Sequence, residues 1–198
     1  MLIAEAAELI RVDTLSASQP QTWCDLGCGT GTFTLALATL LPPGSFIHAF
    51  DKNEKSLAEI PDQYQGVRIL KKVVNLSITD LSLPVSDGML MANLLHYIEN
   101  QDVFVEQIRV QSGQLLIVEY DYRPRSVWIP YPIGFSALQS LLLKQGFTEV
   151  AKLRTRPSRF GGELYSALAH GTKDPASRGH YEAPTRSTVT TPSGRSPA

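Results

Sequence analysis

Residues 23–37 read WCDLGCGTGTFTLAL: an apolar strand-like run, three glycines within five positions (Gly27, Gly29, Gly31), then an apolar helix-like run. Glycine lets a chain turn sharply and lets a ligand lie against bare backbone. A helix starting near Thr32 aims its N–H groups at whatever sits in that turn. In an open parallel sheet, ligands bind beyond the carboxyl ends of the strands, where the strand order reverses. Asp25 and the three glycines stand at such a place if the first strand covers residues 22–26.

The pattern outward from this loop alternates strands and helices. Residues 32–41 read as a helix stopped by Pro42, Pro43 and Gly44, and residues 45–50 as a second strand ending at Asp51. A short helix over 53–60 follows, then strands over 67–74 and 88–93, a helix over 101–110 and a fifth strand over 114–120. After a helix over 135–145, two strand-like runs, 148–155 and 163–169, follow without a helix between them. Leu2, Ile3, Ala6, Leu9 and Ile10 fall at helical spacing and predict an amphipathic helix at the start. The expected fold class is α/β: a Rossmann-like, seven-stranded, mostly parallel sheet with an antiparallel C-terminal hairpin and helices on both faces.

One domain of 198 residues is expected, with 1–170 folded, 1–21 forming an N-terminal helix and linker, and 171–198 a disordered polar tail. The tail is mostly Gly, Pro, Ser and Thr, too polar to offset its ordering entropy. A hydrophobic fraction of 43% and a net charge of −1 fit a globular protein with no broad attraction to nucleic acid or anionic membrane. Glu5 and Glu8 stand where a secretory signal carries positive charge, and no window reaches membrane-span length, so a cytoplasmic protein is expected. Cys24 and Cys28 lack the second pair that a zinc site needs and are read as reduced thiols.

A dinucleotide loop would place its third glycine where Thr32 stands. The sequence instead offers Asp25-x-Gly27-x-Gly29-x-Gly31, which resembles the first motif of the class I S-adenosylmethionine-dependent methyltransferases. The segment HAFDKN puts Asp51 at a strand end, twenty residues past Gly31. A carboxylate there can accept both hydroxyls of a ribose, or can cap the following helix. The resemblance implies S-adenosyl-L-methionine as cofactor and S-adenosyl-L-homocysteine as product. It implies cofactor contacts from Asp25, at the methionine end, and from Gly27, Cys28, Gly29, Gly31, Asp51 and Lys52. It further implies adenine contacts from Ser77 and Ile78, although the family's usual Gly-Asp-Ala is missing there and Asp80 is the alternative. The fourth element, MANLLHYIEN, contributes Asn93. The final hairpin matches the antiparallel seventh strand of this family's sheet.

Methyl transfer from a sulfonium is an in-line displacement, and a general base is needed only for an acceptor protonated at rest. His96, with Tyr97 beside it, is the candidate for that role, against the alternative of a packed histidine. The stretch EYDYRPRSVWIPYPIGF leaves the fifth strand at the binding end. Glu119 and Asp121 are candidate polar contacts for an acceptor, Arg123 and Arg125 could pair an acidic one, and Trp128, Tyr131 and Phe135 could wall its pocket. The same aromatics could instead cover the core, stiffened by Pro124, Pro130 and Pro132. The expected activity is methyl transfer to a small-molecule acceptor, with a second subunit a possible cover for the site. A cofactor-binding accessory subunit and a methyltransferase acting on RNA or protein are the alternatives. The latter would use the basic edge of Arg123, Arg125, Arg154, Arg156 and Arg159.

Overall fold

The computed structural model describes residues 1–77, 81–121, 124–158 and 161–171. The expected contacts at Ile78 and Arg123, the alternative at Asp80, Arg159 and the tail beyond Gly171 lie outside these residues. Eight strands form one sheet: β1 (Thr22–Leu26), β2 (Phe46–Asp51), β3 (Gln63–Tyr64), β4 (Val67–Val73), β5 (Gly88–Ala92), β6 (Gln114–Asp121), β7 (Phe147–Pro157) and β8 (Glu163–Gly171). Their order is β3-β4-β2-β1-β5-β6-β8-β7. The five strands from β4 to β6 in that order run parallel, while β8 lies antiparallel between β6 and β7. The chain steps outward from β1 through β2 to β4 and then returns to the other side of β1 at β5. That reversal opens the crevice between β1 and β5.

The eighth strand is the departure from the expected seven. β3 is a two-residue strand antiparallel to β4, joined to it by Gln65 and Gly66 with φ values of 47° and 82°. Positive φ at both central residues is what a tight hairpin turn requires. Gln-Gly carries a weaker turn signal than Asn-Gly, which is why this hairpin is hard to see in the sequence.

Alternation along the strands divides the core between the two faces. Trp23, Leu90, Leu116 and Val118 face α1 (Ile3–Ile10), α2 (Thr32–Leu40) and α3 (Glu54–Ala58), packing with Ala6, Ile10, Ala36, Leu37 and Leu57. Cys24, Leu26, Met89, Met91, Leu115 and Ile117 face α4 (Gln101–Arg109) and α5 (Phe135–Lys144). The helices end where the chain chemistry requires. Asn53 caps α3 by accepting from the amides of Lys55 and Ser56, and Pro42 and Pro43 follow the last turn of α2.

Trp23 is wholly buried in β1, and Gly88 on the neighbouring β5 leaves the space its ring fills. A Cβ at Gly88 would overlap the Trp23 indole. Gly88→Ala therefore must displace a buried tryptophan, and is expected to destabilise by about 1–3 kcal/mol. Denaturant unfolding checks this: an unchanged midpoint would show that the ring moves aside freely.

Candidate active site

The crevice holds two cavities that share a wall made of Gly27, Gly29 and Asn93. The first, about 490 Å³, extends over α2 to α1 and the end of β7. The second, about 430 Å³, lies over the ends of β2 and β4 and takes in Asp51, Lys52, Leu76 and Ser77. Of the residues expected from sequence to hold a cofactor, Asp25 and Cys28 line the first and Asp51, Lys52 and Ser77 the second. Gly31 lines neither. It is the left-handed residue, φ 88°, from which α2 starts, and no side chain caps the helix there. Cys28 is buried and its thiol is pushed up by that burial, so it is an inert wall.

Asp25 is 1% exposed. Its Oδ2 accepts from the Thr34 hydroxyl at 2.6 Å, while its Oδ1 has no partner. Burial pushes the carboxyl up to about 7; the Thr34 bond works against this and the charge of Asp51 adds to it. Asn93 follows β5 in the left-handed region, φ 57°, held by its amide on the Val118 carbonyl at 2.8 Å, and its Oδ1 is likewise buried without a partner. Two unpartnered buried acceptors on one cavity wall are a feature that native proteins rarely leave unexplained. They suit a ligand that brings N–H donors, and for the acid a positively charged one.

Asp51 holds the loop from the other side. Its Oδ2 accepts from the Gly29 amide and its Oδ1 from the Asn53 amide, each at 2.8 Å. Asn53, not Asp51, caps α3. Asp51 thus stands on the second cavity with an oriented carboxylate, and each of its oxygens keeps a further lone pair. The Phe50 carbonyl takes the amides of Gly27 and Cys28 at 2.8 and 3.0 Å, so the glycine loop is tied to β2 at three points.

The residues expected around an acceptor divide differently. His96 is 2% exposed, and its Nδ1 lies 2.7 Å from Glu119 Oε2. Glu119 Oε1 accepts from the His96 amide at 3.2 Å. Neither residue lines these cavities, so the pair is an internal brace. Its ring side packs on Tyr97 and Tyr120, with centroids 4.3 and 5.7 Å away. Asp121 is also internal: Oδ1 accepts from the Phe135 amide at the start of α5, and Oδ2 pairs with Lys152 at 2.8 Å. Tyr97, half exposed, lines the second cavity and a third that continues from it to Tyr131. Arg125 stacks over the Tyr131 ring at 5.4 Å. Trp128 is 77% exposed and lines none of these cavities.

Sequence reasoning missed Thr34, Tyr120 and Glu5, and raised Arg156 only as part of a basic edge near the acceptor side. Tyr120 was within reach of the strand period, since it shares the face of Leu116 and Val118, whereas Glu119 and Asp121 share the face of Leu115 and Ile117. Glu5 and Arg156 lie 151 positions apart, and no local spacing joins them.

Residues 24–111 match the family model described as a methyltransferase domain. No curated protein matches the chain by sequence. Among solved structures, the N-terminal domain of EvdMO1, crystallised with S-adenosylhomocysteine and D-fucose, superposes with a TM-score of 0.61 at 17% identity, over 84% of this chain and 83% of that one. Human N-acetylserotonin methyltransferase in complex with S-adenosylmethionine gives 0.62 at 19%, over 85% and 52%. An S-adenosylmethionine-dependent methyltransferase from Mesorhizobium loti gives 0.59 at 14%, over 84% and 96%. This chain spans 41% of the whole of EvdMO1. At such identities the likeness speaks for the fold, and the motif and domain match speak for the family. Over residues 24–111 the chain carries a methyltransferase domain, of the S-adenosylmethionine-dependent kind that its first glycine motif resembles.

Proposed function

We propose that this protein binds S-adenosylmethionine across the two joined cavities and transfers its methyl group to a small-molecule acceptor. The observation that carries the reading is the placement of Asp25 and Asp51 on opposite sides of one glycine wall, the first with an unpartnered oxygen and the second oriented by backbone amides. Asp25 Oδ1 and Asn93 Oδ1 would hold the ammonium of the methionine end. The uncapped start of α2 adds a field that favours negative charge to the same cavity. Asp51 would take the ribose hydroxyls, and Val74, Leu76 and Ser77 the adenine. Bound there, the cofactor supplies an electrophilic methyl on a sulfonium.

The protein's own part is to orient and to exclude water. Tyr97 and Tyr120 are half-buried aromatics beside the shared wall, and the His96–Glu119 brace fixes them. We assign His96 to positioning rather than to proton abstraction, because its ring is engaged by Glu119 away from the cavities. The small size of the acceptor is supported by the fate of the basic edge. Among its described residues, Arg154 donates to the Arg11 carbonyl, Arg156 pairs with Glu5, and Arg125 lies on Tyr131, so each of these three is engaged within the protein rather than held out for a phosphate backbone. Among the described residues, no helix is long and apolar enough to cross a membrane. Both cysteines are free thiols, in keeping with a cytosolic setting.

Calorimetric titration with S-adenosylmethionine, S-adenosylhomocysteine and NAD tests the reading, with Asp51→Ala and Asp51→Asn as controls. Micromolar binding of the first two, weakened about ten-fold or more in both variants, is expected. No binding of either, or preference for NAD, would overturn the assignment. Binding without turnover on any small-molecule extract would favour an accessory subunit.

A further inference from the structure

The rim of the first cavity carries a charge pair that the methyl-donor assignment leaves unused. Arg156, near the end of β7, donates from Nη2 to Glu5 Oε1 on α1 at 3.0 Å. The two side chains are 32% and 40% exposed, and both line the cavity. Among the described residues, Arg156 is the only cationic side chain on that wall, which also holds Met1. A guanidinium carries five N–H donors in a fork that suits a carboxylate held by two parallel bonds. The bond to Glu5 engages one of these donors, on a side chain that lines the cavity. Glu5 has an alternative partner of its own, since its Oε2 accepts from the Leu2 amide at 2.9 Å. The Arg156 bond, helped by that amide, holds the Glu5 carboxyl down to about 2, so it stays ionised across the physiological range.

The cavity therefore has a direction. Deep in it are the two acceptors without partners, Asp25 Oδ1 and Asn93 Oδ1; at its mouth is one guanidinium already holding a carboxylate. We propose that Arg156 is a carboxylate-docking group of this site, occupied by Glu5 until a ligand carboxylate displaces it. The proposal rests on the reading of the cavity as the place of the methyl donor's amino-acid end. The displacing carboxylate belongs either to that end or to the acceptor. Release of Glu5 does not require α1 to undock. Arg154 Nη1 still donates to the Arg11 carbonyl at 2.7 Å, and Ala6, Leu9 and Ile10 remain buried. Glu5 is thus a built-in competitor that raises the threshold for carboxylate ligands and admits them by exchange.

Two ligands separate the sources. S-adenosylhomocysteine carries an amino-acid end; 5′-methylthioadenosine keeps the adenosine and thioether without it. Both are titrated by calorimetry into the wild type, Glu5→Gln and Arg156→Gln, with melting temperatures as a control on folding. For the cofactor tail as source, Arg156→Gln weakens S-adenosylhomocysteine about ten-fold and Glu5→Gln tightens it several-fold, while 5′-methylthioadenosine responds to neither. A bridge that only braced the fold would shift both variants in the same direction. For the acceptor as source, neither nucleoside responds, but benzoate binds to protein saturated with 5′-methylthioadenosine, more tightly in Glu5→Gln and not in Arg156→Gln, and benzamide does not bind. Shifts of the same sign in the two variants, or no shift in either arm, overturn the proposal. Failure of both nucleosides to bind the wild type overturns the methyl-donor reading instead, and benzoate titrated alone then still decides the role of Arg156.

Discussion

Gly29→Ala is expected to give a folded protein that binds S-adenosylhomocysteine about a hundred-fold more weakly, whereas Gly31→Ala is expected to be lost to instability. Both residues have positive φ, 53° and 88°, so each pays about 1–2 kcal/mol for a Cβ in the left-handed region. Their surroundings then separate them. A Cβ at Gly31 would stand 2.7 Å from Ile60 Cγ1, in a core where Ile60 is 1% exposed, and overpacking there adds about 1–3 kcal/mol. A Cβ at Gly29 meets nothing within 4 Å of protein, and Gly29 lies on the wall shared by the two cavities. The added methyl takes the space of the ligand, and excluding or shifting it by about 3 kcal/mol corresponds to the hundred-fold loss. Thermal melting and calorimetry on the two variants check the contrast. Unimpaired binding by Gly29→Ala would show that the ligand does not pass over this wall.

The sequence carried the architecture because the architecture is written in local periods. The alternation of β1 and the glycines after it specify a strand, a turn and an uncapped helix within fifteen residues, and the structure places them so. The hairpin at the end was legible as two strand runs without an intervening helix. What escaped was anything set by contact across distant parts of the chain. Nothing within residues 119–121 tells that Lys152 and the start of α5 will take the Asp121 carboxylate, or that His96 will take that of Glu119. An acid at the end of a strand looks like a ligand group until its partners are known. The strand period could have excluded both, since it sends them to the α4–α5 face and Tyr120 to the cavity. Glu5 and Arg156 were beyond any such rule, because the N-terminal helix and the last hairpin meet only in three dimensions.

Asp25→Asn is expected to make the protein more stable and a poorer binder at the same time. Folding buries this acid almost completely and pushes its carboxyl up to about 7, well above the range of an unfolded aspartate. The folded chain therefore binds the proton more tightly than the unfolded chain. Stability from this group is full below about pH 4, declines as the pH rises, and is gone once the pH passes 7. Above that point the wild type keeps an ionised, half-partnered carboxylate in its core. Asparagine has nearly the same shape, can still accept from Thr34, and carries no charge. At pH 8 the variant should be more stable by about 2–4 kcal/mol, a rise of several degrees in Tm, and the gap should close toward pH 4. Binding runs the other way. If Asp25 Oδ1 faces the ammonium of the cofactor, removing its charge weakens S-adenosylhomocysteine by about a hundred-fold at pH 8. The wild-type affinity should also fall as the pH drops through 7, while that of the variant stays flat over the same interval. Tm and calorimetry at pH 5, 6.5 and 8 supply both halves. An acid that merely braced the loop would give a variant less stable at pH 8 with its affinity intact; a group kept ionised for a cationic ligand gives a gain in stability and a loss of binding from one substitution.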